Sequence, residues 1–99
     1  MLLSEVEILD KDFRIESTTH AARRMEERKI KKNIVVDVVK GLDVKALVYN
    51  NTGEEIAIID QLHDIAVITE VRLNKIVIIT VIDRANIHIK DGTRLEEIA

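Results

Sequence analysis

Residues 76–84 read IVIITVIDR, and positions 76–82 carry only isoleucine, valine and a single threonine. A strand with one face in water alternates apolar and polar side chains. This one is apolar on both faces, which places it in the middle of a sheet with helices over one side. As a helix it would be far too short to cross about 30 Å of hydrocarbon, which takes about 20 apolar residues. It is therefore read as the central strand of a folded domain.

Working outward, the preceding segments VKALVYN (44–50), EEIAIID (54–60) and IAVITEVRL (65–73) also read as extended. They are separated by turn sequences: NNTG at 50–53, QLHD at 61–64 and a tight turn at Asn74-Lys75. Successive strands joined by short turns predict an antiparallel meander. On the other side, ANIHIK (85–90) alternates, with Ala85, Ile87 and Ile89 facing one way. Arg84, Asn86, His88 and Lys90 face the other way, giving that segment a basic polar face. After an Asp91-Gly92 turn, Thr93-x-x-Glu96 matches a capping box and predicts a terminal helical turn.

The N-terminal part reads differently. Ser4-x-x-Glu7 is another capping-box match and predicts a short helix over residues 5–10, followed by a strand over 12–16. STTHAARRMEERKI (17–30) predicts a helix to about Lys29, because a hydroxyl can cap its first turn and Ala, Arg, Glu and Met favour the helical state. A second helix is expected over 33–40, where Ile34, Val35, Val38 and Val39 recur at helical spacing and Gly41 follows. The expected architecture is α+β, with two N-terminal helices packed on an antiparallel β-sheet meander.

Composition sets bounds on this picture. A chain of 99 residues has room for one hydrophobic core, so residues 1–99 are read as a single domain. With 46% hydrophobic and 33% charged residues it is globular rather than disordered. There is no cysteine, which removes disulfides, thiolate nucleophiles and cysteine-held zinc. With no leader pattern and no membrane-length apolar run, a soluble, cytoplasmic protein is expected. Abundant charge, no proline and a preference for Ile and Val resemble thermophile usage. Phe13 and Tyr49 are the only aromatic residues, so no aromatic platform for stacking bases is available, and any nucleic-acid binding rests on charge and shape.

Against a formal net charge of −3, the first helix is locally basic. His20, Arg24 and Arg28 stand at i, i+4 and i+8, one ridge about 12 Å long at about 1.5 Å rise per residue. Ala21, Ala22 and Met25 form the apolar stripe, and Ile30 closes the helix. In the first turn the helix dipole and the nearby arginines disfavour a positive imidazolium, so His20 is expected to be neutral. A neutral imidazole beside guanidinium groups suits metal-free phosphodiester cleavage, with a base for the attacking hydroxyl and cations for the charge on phosphorus. The alternative is a solvated helix face, with Arg23, Arg24, Arg28, Lys31 and Lys32 interleaved with Glu26 and Glu27 in ion pairs of about 0.2–0.5 kcal/mol each.

THAARRMEERKI resembles the signature of a family of small prokaryotic domains of unknown function, a helix reading His-Ala-x-x-Arg-Met-x-x-Arg-x-Ile. The matching positions are His20, Ala21, Arg24, Met25, Arg28 and Ile30, and the likeness continues to VIITV with Thr80. It covers residues 12–83, with 84–99 as an extension. That family is similar to the RelE, BrnT and barnase-like ribonuclease toxins. The resemblance implies a metal-independent ribonuclease with a protein antitoxin. It assigns His20 as acid or base, Arg24 and Arg28 as phosphate-binding cations and Thr80 as a hydrogen-bond donor. Arg23, Lys31, Lys32, Arg84 and His88 would then extend the RNA-binding surface. Departures are Lys29, where glycine is frequent, and Ile82, where an aromatic residue is frequent.

No cofactor is expected, and a metal site is not: His20, His63 and His88 with Asp60 or Asp64 fit no local ligand spacing. His63 reads as an exposed turn residue, and Thr80 equally well as an ordinary strand threonine. The competing function is a non-catalytic interaction module whose sheet pairs with a partner or forms a homodimer.

Overall fold

The computed structural model describes residues 1–83 and 92–98 of the chain. In order, the elements are β1 (Leu2–Ile8), β2 (Lys11–Ser17), α1 (Thr19–Glu27), α2 (Lys32–Lys40) and α3 (Lys45–Tyr49). There follow β3 (Glu55–Asp60), β4 (Ile65–Arg72), β5 (Lys75–Asp83) and β6 (Arg94–Ile98). The strands form one mixed sheet in the order β1-β2-β5-β4-β3-β6. β2 runs parallel to β5 and β6 parallel to β3, while the other neighbours are antiparallel.

This overturns the expectation of two N-terminal helices on an antiparallel meander. A β-hairpin precedes the helices, and the β3-β4-β5 meander is flanked on both sides by parallel partners. Residues 5–8 belong to β1 and 9–10 to the turn that follows it, rather than to a helix, since Val6 and Ile8 pack on the core opposite Phe13 and Lys11. Residues 45–49 form a short helix that buries Ala46, with Leu47 and Tyr49 against the core. The Thr93–Glu96 capping-box match lies in β6, because the open margin of β3 supplies a ladder that an isolated helical turn cannot equal. The expected strand at 85–90, with Arg84 and His88, lies outside the described residues.

The sequence IVIITVI does form the centre of the sheet, with β2 on one side of β5 and β4 on the other. Its helix-facing residues Ile76, Ile78 and Val81 join Phe13, Ile15, Ala21, Met25, Val35, Val38 and Val39 in the main core. The register slips between Ile68 and Thr69 of β4, so Ile79 is an extra residue on β5. That bulge changes the parity of the strand: Ile78 and Val81 face the helices, whereas Thr80 pairs with Ile68 on the other face. Ala57, Ile59, Ala66 and Ile68 are also buried, yet they stand apart from the helix-side core.

Two hairpins turn on residues with left-handed backbones. Leu9 (φ 47°) and Asp10 (φ 66°) join β1 to β2, and Leu73 (φ 47°) and Asn74 (φ 62°) join β4 to β5. Positive φ at both loop positions matches the right-handed twist of the flanking strands, but it crowds the Cβ of leucine. Leu9 and Leu73 are 70% and 74% exposed, so little packing offsets that strain. Replacing either with asparagine is expected to raise stability by about 0.5–1 kcal/mol, read as a higher urea midpoint. An unchanged or lower midpoint in both variants would show that the leucines make contacts the fold depends on.

β6 is fastened to α3. Lys45 Nζ lies 2.6 Å from Glu96 Oε2, and the Tyr49 hydroxyl donates to Glu96 Oε1 at 2.7 Å. Those two bonds hold the Glu96 carboxyl below the usual carboxylate range, while the bond to Glu96 raises the Tyr49 hydroxyl. A carboxylate with a depressed folded-state pKa stabilises above its unfolded value and loses that contribution as pH falls through the folded one. The stability gap between the protein and its Glu96→Gln variant should therefore be present at pH 7 and close on acidification below the normal glutamate range, as followed by thermal melts. A gap independent of pH would place Glu96 outside the fastening.

Candidate functional site

β2 pairs with β5 only from Arg14–Lys75 to Ser17–Ile78, and there the chain leaves the sheet to begin α1. Beyond that point the β5 margin needs donors for its carbonyls. Thr18 supplies two: its backbone N–H reaches the Ile78 carbonyl at 3.0 Å, and its hydroxyl donates to the Ile79 carbonyl at 3.1 Å. Consecutive carbonyls can both reach one residue because the bulge inserts Ile79 there. The same hydroxyl accepts the Ala21 N–H at 3.0 Å and so caps α1. At the other end of the helix, Arg28 Nη1 donates to the Val81 carbonyl at 2.7 Å. α1 is thus held along the margin of β5 by one residue at each end.

This geometry decides how the ridge is disposed. His20 and Arg23 are exposed, with no hydrogen bond to either side chain among the described residues. Arg24 lies 3.4 Å from Glu27, an exposed i,i+3 pair. Arg28 is half-buried and joined to the β5 backbone. Thr80, one residue before the carbonyl that Arg28 binds, projects to the opposite face of the sheet with Ile68. The sheet therefore separates Thr80 from His20, Arg24 and Arg28, and no such separation is readable without knowing of the bulge. Lys31 caps the start of α2 without a side-chain hydrogen bond, and Lys32 opens that helix, both exposed. Arg84 and His88 lie outside the described residues.

Two features lie outside the expected site, the pairing of Asp60 with His63 and a cleft beside α2. Asp60, 3% exposed at the end of β3, accepts the Leu62 N–H at 3.0 Å through one carboxylate oxygen and contacts His63 Nδ1 through the other. His63 is accordingly a turn-closing partner of a buried carboxylate. The Asp-x-x-His spacing was the available signal. Among the described residues no group of three or more His, Cys, Asp or Glu side chains comes together to hold a metal ion. The second feature is a cleft of about 290 Å3 between the start of β1 and the outer side of α2, lined by Lys32 and Lys40 among others. No described helix is long and apolar enough to cross a membrane.

Comparison of the chain with family models, with curated proteins and with solved structures finds no match.

Replacing Arg28 with methionine keeps the length of the side chain and leaves the Val81 carbonyl without its donor. The expected loss is about 1–2 kcal/mol, within the range for hydrogen bonds to charged groups. Lysine should restore only part of it, lacking the planar fork of a guanidinium. Arg23→Met, on the same helix but exposed, should stay within about 0.5 kcal/mol of the parent. Equal losses for Arg28→Met and Arg23→Met in denaturant unfolding would remove Arg28 from this role.

Proposed function

We propose that the chain acts as a non-catalytic interaction module that engages a protein partner through the margin of its sheet. The observation that carries this reading is β1, one of the two outer strands of the sheet, whose outer side is unpaired among the described residues and which borders a cleft with exposed cations. An unpaired strand margin is a ready template for an incoming strand, with main-chain hydrogen bonds for affinity and neighbouring pockets for selection. The cationic ridge supports the same reading indirectly, because Arg28 is engaged by the fold and Thr80 lies across the sheet.

A second reading, RNA cleavage of the RelE or BrnT kind, is favoured by the exposed His20 and Arg23 at the start of a firmly anchored helix. The Arg24–Glu27 pair is exposed and worth only about 0–1 kcal/mol, so a phosphate can displace Glu27. The two readings part on one experiment: purified protein and its His20→Ala variant incubated with structured RNA in the presence of a chelator. The interaction module predicts equal and negligible cleavage by both. Cleavage by the parent that His20→Ala abolishes, with its fold intact by circular dichroism, would establish the ribonuclease reading instead.

A further inference from the structure

β1 forms one of the two margins of the sheet, the one beside the cleft, and its pairing with β2 is regular from Ser4 to Ile8, the single irregularity falling at Leu3. Alternate N–H and C=O groups of that stretch point outward, away from β2. Above it, on the helix side, the cleft has Leu3 and Val36 as its apolar part, with Ser4 beside them. Lys32 and Lys40 stand along the α2 side with Asp37 between them, and neither lysine has an ion-pair partner among the described residues. Below, on the opposite face, β1 presents the exposed carboxylates of Glu5 and Glu7.

A strand laid against β1 would send alternate side chains to these two sides. Those rising toward α2 meet an apolar patch and two cations that outnumber the single carboxylate of Asp37; those falling to the other face meet two carboxylates. We infer that the β1 margin and the α2 cleft accept an extended partner segment that is acidic and apolar on the cleft-facing side and basic on the reverse. This rests on the interaction-module reading above and names its partner by charge. A second copy of the chain is the wrong occupant: pairing β1 with β1 brings Glu5 and Glu7 against their own counterparts, and like charges opposite one another destabilise a ladder.

The test uses the full chain, labelled with nitrogen-15, and a synthetic heptapeptide blocked at both ends, Lys-Glu-Thr-Val-Arg-Glu-Thr. Its uncharged counterpart is Thr-Gln-Thr-Val-Thr-Gln-Thr, which carries no charge on either side however it lies. The first peptide should shift the amides of residues 4–8 together with Lys32 and Lys40. Reversing both lysines, Lys32→Glu with Lys40→Glu, should weaken it by about tenfold or more and remove its advantage over the uncharged peptide. Both lysines are exposed, so the variant keeps the parent's amide pattern elsewhere.

Equal binding of the two peptides at β1 would overturn the charge assignment while leaving an interaction margin in place. No shift in β1 from either peptide would overturn the inference itself. Concentration-dependent β1 shifts with a dimer mass in sedimentation would replace the partner segment with a second copy. RNA cleavage that depends on His20, by contrast, would remove the interaction-module reading whatever happens at β1.

Discussion

The structure depends on how the β5 margin is satisfied after β2 departs. A buried carbonyl without a donor costs about 1–3 kcal/mol, a sizeable part of the net stability of a small domain. Thr18 and Arg28 meet that demand from the two ends of one helix, and in doing so they orient α1 along the strand. Ala21 and Met25 then face the core and His20 and Arg23 face outward. The most basic stretch of the chain thus has a structural duty at its far end and a free surface at its near end.

The sheet has two unequal faces. On the helix side the core is continuous from Ile8 to Val81 and includes all three helices. On the reverse face, β3 and β4 are apolar and buried at Ala57, Ile59, Ala66 and Ile68, while β1 and β2 carry Glu5, Glu7, Arg14 and Glu16. Arg14 and Glu16 pair at 3.5 Å, and Lys75 comes within 4.0 Å of Glu16. Charge therefore gathers at the β1 margin, where a partner strand would lie, and buried apolar side chains gather on β3 and β4.

Much of this was legible in the residues, and the misses have physical causes. The run at 76–82 announced a central strand because both of its faces had to be apolar, and the hydroxyls of Ser17, Thr18 and Thr19 announced a helix start without saying which of them caps it. The stretch 44–50 misled because Val44, Val48 and Tyr49 favour strands, whereas burying Ala46 under a single helical turn suits the space beside β4. Ser4-x-x-Glu7 and Thr93-x-x-Glu96 offered local capping chemistry that long-range ladders to β2 and β3 outweighed. Parallel pairing leaves no short-range signal, so the two flanking partnerships were invisible. The bulge at Ile79 was equally hidden, and with it the fact that Thr80 and the arginine ridge lie on opposite faces. The Arg28 role was the subtlest: its spacing suggested an anion site, but its acceptor is a backbone carbonyl 53 positions away.

The most direct check is nuclear magnetic resonance of the arginine side chains, with inorganic phosphate added in steps. If Arg28 belongs to the β5 margin, its guanidinium protons exchange slowly and keep their shifts, while those of Arg23 exchange freely and move. Guanidinium protons of Arg28 that exchange as fast as those of Arg23, and follow the phosphate equally, would contradict the account.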